Sequence, residues 1–128
     1  MSDEKIYKEE LMEHFKYPQN KRKLEKPDFS SGVENPSCGD IISIEGKISK
    51  DGKILEVCFD GAGCVISQAT ASMLTDKCKG KSFDEVLQMT SQDVLQMLGL
   101  ELGPVRLRCA LLSLQALQSA LLKFKSKK

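Results

Sequence analysis

The stretch Ile41-Ile42-Ser43-Ile44-Glu45-Gly46-Lys47-Ile48, followed by Asp51-Gly52 and then Ile54-Leu55-Glu56-Val57-Cys58-Phe59-Asp60, decides the fold class. Its first segment has partial two-residue alternation and reads as a strand, and Asp-Gly is a strong hairpin signal because it tolerates positive φ. The return strand places Leu55, Val57 and Phe59 on one face. Gly61-Ala62-Gly63 breaks the strand, and Cys64 opens a segment, Val65–Lys77, whose small and apolar residues suit a helix. Everything after it is helical. Ser82-Phe83-Asp84-Glu85 is a capping box for a helix through about Met89. A short helix covers Ser91–Leu98 and closes at Gly99. Pro104 suits the first turn of a last helix that runs to about Lys125, with cations at its C-terminal end. Upstream, Lys5–Lys16 sets Ile6, Leu11, Met12 and Phe15 close to helical spacing, and Pro18 ends that helix. Gln19–Lys26 reads as a solvated connector and Phe29–Asn35 as a loop leading to a turn. A helix, a strand region and a run of helices make an α+β pattern in a single domain spanning residues 1–128.

Composition narrows the function classes. The chain has 128 residues, 41% hydrophobic and 29% charged, which excludes a disordered or collagen-like polypeptide. Nineteen basic and eighteen acidic residues leave a formal charge of +1, without the basic excess expected of a nucleic-acid binder. The longest uncharged stretch, Cys109–Leu122, falls short of the ~20 residues of a membrane span. The start shows no apolar signal segment, so the sequence reads as a soluble cytoplasmic domain.

Five cysteines and one histidine, His14, are the informative counts. An odd cysteine number without a secretory signal argues for reduced thiols serving as ligands, nucleophiles or core filler. Cys58, inside a strand, reads as core filler, and Cys78, among Asp76, Lys77 and Lys79, as an incidental boundary thiol. Cys38, Cys64 and Cys109 differ. Cys38 lies in the turn Asn35-Pro36-Ser37-Cys38-Gly39-Asp40, Cys64 follows Gly-Ala-Gly at a helix start, and Cys109 lies in the first turns of another helix beside Arg106 and Arg108. Unpaired N–H groups at a helix start and nearby guanidinium groups both favour the thiolate, the form that binds metal and attacks sulfur. Spacing alone fits no compact zinc finger.

At these residues the chain resembles the IscU/SufU/NifU-N family of iron–sulfur cluster assembly proteins. Asn35–Asp40 is similar to the family's first cysteine motif, Gly61-Ala62-Gly63-Cys64 with the run through Thr75 to its second, and Pro104-Val105-Arg106-Leu107-Arg108-Cys109-Ala110 to its third. His14–Asn20 resembles the end of its N-terminal helix. The resemblance implies a three-stranded antiparallel sheet packed against helices, with three cysteines converging at one exposed end. Arg108 stands where IscU proteins have a histidine and is SufU-like, whereas the compact spacing before Cys109 is IscU-like. Leu102-Gly103-Pro104-Val105-Arg106 keeps part of the segment that IscU proteins present to an Hsp70-type chaperone.

The resemblance implies a scaffold rather than an enzyme. In the first reading Cys38, Asp40, Cys64 and Cys109 ligate a transient two-iron iron–sulfur cluster, built with sulfur from a cysteine desulfurase and passed to apo-proteins. A hard oxygen matches iron less well than sulfur, so Asp40 favours release. In the second reading the same four residues bind Zn²⁺, and the protein accepts persulfide sulfur on Cys38, Cys64 or Cys109 as a SufU-like sulfurtransferase. A third reading makes the thiols structural and the apolar last helix an interaction surface, with Gln115, Gln118 and Ser119 opposite its leucines. Arg108 is either a cation supporting the thiolates and bound sulfide or a solvated surface residue. The Hsp70-type chaperone and a homo-oligomeric state are further associations the resemblance allows; nucleic acid and membrane are not expected partners.

Overall fold

A computed structural model describes residues 2–36 and 39–126. The chain runs α1 (Ser2–Lys16), β1 (Phe29–Asn35), β2 (Asp40–Ile48), β3 (Ile54–Ala62), α2 (Val65–Cys78), α3 (Phe83–Leu87), α4 (Ser91–Leu98) and α5 (Pro104–Ser126). The three strands form an antiparallel meander in the order β1-β2-β3, the α+β architecture expected. Ile42 and Ile44 face the helices with Val57 and Phe59, in register pairs such as Ile44 with Phe59, and all four are fully or almost fully buried. Helix α5 lies along β1 and β2, α2 packs between α5 and β3, and α1 rides on α2.

Phe29–Asn35 is a strand, not a loop. Its Ser, Gly and Asn residues carry weak strand preference, but pairing of Phe29 with Gly46 through Asn35 with Asp40 settles the conformation. Phe29 is buried at one end of that ladder. Gly46 admits it: a Cβ there would sit 2.0 Å from Phe29 Cζ.

Leu55 does not share the inner face with Val57 and Phe59. The β2–β3 register shifts between Lys47 and Ile48, so Ile54 pairs with Ile48 and Leu55 is the extra residue of a bulge. Ile54 is 1% exposed and Leu55 is 59% exposed. The connector after α1 is also more than solvated chain. Phe59 N–H donates to the Asn20 carbonyl at 2.9 Å and Arg22 N–H to the Phe59 carbonyl at 3.1 Å, so the connector straps the free edge of β3.

Cys58 and Cys78 are both buried. Burial pushes the Cys58 thiol up, as expected of core filler. Cys78 departs from the boundary reading: it belongs to the main core, touches Met89 Sδ at 3.9 Å, and burial raises its thiol to about 11. The helical period explains the difference, since Cys78 follows the buried Leu74 by four residues despite charged neighbours.

Helices α3 and α4 carry capping boxes, Ser82 with Glu85 and Thr90 with Asp93. The polar residues of α5 do not form a simple solvent face. Gln115 is exposed, but Gln118 Nε2 donates to the carbonyls of Val86, Leu87 and Met89 at 3.1, 3.4 and 2.9 Å. Ser31 Oγ donates to Ser119 Oγ at 3.4 Å. No helix of the described residues is long and apolar enough to cross a membrane.

Candidate metal centre

Three elements meet at one end of the sheet. Asp40 is the first residue of β2, Cys64 caps the N-terminus of α2, and Cys109 lies in the second turn of α5. Each contributes a donor atom, and the three atoms lie within 4.8 Å of one another. Asp40 is 1% exposed and Cys109 3% exposed, whereas Cys64 is exposed. Cys38 falls outside the described residues.

Local chemistry fixes Cys64. Its φ of −73° and ψ of 165° are those of an N-cap, where a side chain accepts from the unpaired N–H groups of the first turn. Here Sγ accepts from Ser67 N–H at 3.4 Å, and Ser67 Oγ returns a bond to the Cys64 carbonyl at 3.2 Å. The Cys64 backbone N–H donates to Asp40 Oδ1 at 2.7 Å, and Sγ–H donates to Asp40 Oδ2 at 3.5 Å. This approach requires Gly63. Its φ is 145°, and a Cβ on it would lie 2.1 Å from Asp40 Oδ1.

The donor set fits a thiophilic cation. Zn–S bonds of ~2.3 Å and Zn–O bonds of ~2.0 Å, arranged as a tetrahedron, set sulfur and oxygen donors about 3.5 Å apart. That is the 3.5 Å between Cys64 Sγ and Asp40 Oδ2.

Beside these donors runs a groove of about 690 Å³. It is lined by Lys8, Leu11 and Met12 of α1, Val65 and Ile66 of α2, and Leu100, Glu101, Leu102, Val105 and Arg106 from the segment that leads into α5 and its first turn. Cys64 and Cys109 also line it. Arg108 is exposed and is not among the lining residues; the arginine that lines the groove is Arg106. Helical geometry gives the reason, because Arg106 precedes Cys109 by three residues and shares its side of α5. The α1 part of the lining has no local signal at all. Lys8 and Met12 reach the groove because α1 packs on α2, a contact between segments distant in sequence.

Residues 6–128 match the family of NifU-like N-terminal domains. The chain belongs to that family. Among NifU-like relatives, the iron–sulfur cluster assembly enzyme IscU of Drosophila melanogaster is 35% identical, over 95% of this chain and 80% of its own. The iron–sulfur cluster assembly scaffold protein IscU of Escherichia coli strain K12 is 32% identical, over 95% of this chain and 96% of its own. The crystal structure of the SufU protein of Fervidobacterium islandicum superposes with a TM-score of 0.78 at 25% identity, covering 88% of this chain and 94% of that one. Resemblance to both IscU and SufU relatives, expected from the three cysteine motifs, is thus met in sequence and in fold.

Proposed function

We propose that this protein is a scaffold on which an iron–sulfur cluster is assembled and from which it is passed to apo-proteins. Family membership supports the reading, and the convergence of Asp40, Cys64 and Cys109 donors from β2, α2 and α5 carries it. Cys38, two residues before Asp40 in the sequence, is the fourth proposed ligand. The cluster is cargo. Iron enters as Fe²⁺ and sulfur arrives as the outer atom of a persulfide on a cysteine desulfurase. A site thiolate attacks that atom, the donor's S–S bond breaks, and the donor cysteine leaves as a thiolate. Each sulfur then takes two electrons from a reductant to become sulfide.

The residues perform distinct work in this cycle. Cys64, exposed at a helix start, meets incoming groups; Cys109, buried behind it, holds what has been delivered. Asp40 supplies one oxygen among sulfurs, the weakest ligand for iron and the first to exchange during transfer. Arg106 and Lys8 place two cations on the groove beside the thiols, where they attract anionic cargo such as sulfide. Residues 102–106, with Val105 64% exposed, are the segment on which an Hsp70-type chaperone would dock. The cytoplasm, where thiols stay reduced, is the proposed setting.

A second reading rests on the compactness of the site. Donors within 4.8 Å suit a single ion, so Zn²⁺ occupies the isolated protein and the thiols act as sulfur acceptors. One experiment addresses both. Anaerobic incubation with Fe²⁺, cysteine, desulfurase and reductant gives the scaffold a brown chromophore that is lost in Cys64→Ser and Cys109→Ser. Persistent tight zinc with no chromophore, together with strong stimulation of desulfurase turnover, favours the zinc reading instead. A Cys38/Cys64/Cys109 triple serine variant that binds metal and supports sulfur transfer normally would refute both.

A further inference from the structure

Asp40 has more to do than offer a ligand atom. Its carboxylate is 1% exposed, and its two oxygens meet different parts of the same residue. Oδ1 accepts the Cys64 backbone N–H at 2.7 Å, the length of a strong bond. Oδ2 faces Cys64 Sγ at 3.5 Å and belongs to the group of donor atoms within 4.8 Å. Gly63, whose missing side chain leaves the room that Oδ1 occupies, makes the arrangement possible.

The geometry points to a division of labour within one carboxylate: Oδ1 is a positioning group that pins the backbone at the start of α2, and Oδ2 is the donor offered to the bound metal. Asp40, at the start of β2, reaches across to the link between β3 and α2, where Gly63 alone lies between the end of β3 and Cys64. Without the clasp the Cys64 N–H, in the turn between strand and helix, has no other partner among the described residues, and the helix start that carries the exposed thiol is held only by bonds within its own first turn, from Ser67 and from Gln68 N–H to the Cys64 carbonyl at 3.2 Å. The Oδ2 half rests on the metal-site reading proposed above; the Oδ1 half stands without it.

Asparagine separates the two jobs. It keeps a carbonyl oxygen for the Cys64 N–H and replaces the ligating oxygen with an amide nitrogen, which does not bind metal. In the metal-free protein, exchange of the Cys64 amide hydrogen, read by NMR, stays near the parent rate in Asp40→Asn and rises about tenfold in Asp40→Ala. In cobalt(II) titrations, used because the ion reports its ligands spectroscopically, both variants lose the parent's tetrahedral d–d bands to the same degree. Gly63→Ala retains the carboxylate but displaces it, and it follows Asp40→Ala in both measurements. The proposal is overturned if Cys64 exchange in Asp40→Asn equals that in Asp40→Ala, or if Asp40→Asn keeps the parent cobalt spectrum. Failure of the parent itself to bind cobalt would instead sink the metal-site reading, and the exchange comparison would still decide the anchoring role.

Discussion

Replacing Cys64 by serine separates folding from function at a single atom. Cys64 caps α2 with a sulfur that accepts Ser67 N–H at 3.4 Å, a weak bond because sulfur is a poor acceptor. Serine ranks among the best N-caps, its hydroxyl a stronger acceptor than a thiol, and losing a good cap typically costs ~1 kcal/mol. Taking about half of that as the gain from cysteine to serine gives ~0.5 kcal/mol. With an unfolding entropy of ~2.1 cal/mol/K per residue, this chain shifts its midpoint by ~4 °C per kcal/mol, so metal-free Cys64→Ser melts ~2 °C higher than the parent. The hydroxyl also remains a donor to Asp40 Oδ2, so the clasp is undisturbed. The same variant loses a thiolate ligand, and zinc at about 100 times the parent's Kd, which raises the parent's stability by ~2.7 kcal/mol and its midpoint by ~10 °C, raises the variant's much less. Paired calorimetric melts with and without zinc measure both effects. A metal-free midpoint several degrees below the parent's, or an unreduced zinc shift, would refute the reasoning. A thiol where a hydroxyl folds better is the signature of a position kept for chemistry.

Other perturbations follow from the same structure. Burial raises Cys78 to about 11, above the ordinary thiol value of 9.0, so the unfolded chain ionises first and stability falls as pH rises through that window; denaturant melts from pH 8 to 11 show a shallower fall in Cys78→Ala. Gln118→Leu leaves the carbonyls of Val86, Leu87 and Met89 without their shared donor and lowers stability by ~1–2 kcal/mol, seen as a lower denaturant midpoint. Asp40→Ala, lacking the exchangeable oxygen ligand, transfers its cluster to an apo-ferredoxin on the order of tenfold more slowly, equivalent to ~1.4 kcal/mol; an unchanged transfer rate counts against Asp40 as the release ligand.

The sequence shows some parts of this molecule and hides others for physical reasons. The hairpin, both capping boxes and the limits of α2, α4 and α5 are local events, decided by turn residues, caps and helix breakers a few positions apart. Cys64 and Cys109 could be picked out because each sits in a short motif at an element boundary, and Asp40 because it lies in the first motif. Strand β1 has no such signal, as its Ser-Ser-Gly segment becomes a strand only through pairing with β2. The bulge at Leu55 reverses the alternation for one residue, which no reading of that strand in isolation reveals. Cys78 was obscured by charged neighbours although its spacing from Leu74 pointed inward. The groove beside the thiols depends on α1 docking against α2, and the choice of Arg106 over Arg108 on the direction of one helix face.

The central claim is that sulfur donors and one carboxylate from separate elements hold a single centre. Zinc K-edge X-ray absorption on the zinc-loaded protein, prepared without air, counts those donors directly. The account predicts three sulfur neighbours near ~2.3 Å and one oxygen near ~2.0 Å, with one sulfur lost in each of Cys64→Ser and Cys109→Ser. A shell of oxygen and nitrogen alone, or one unchanged by either substitution, would contradict it.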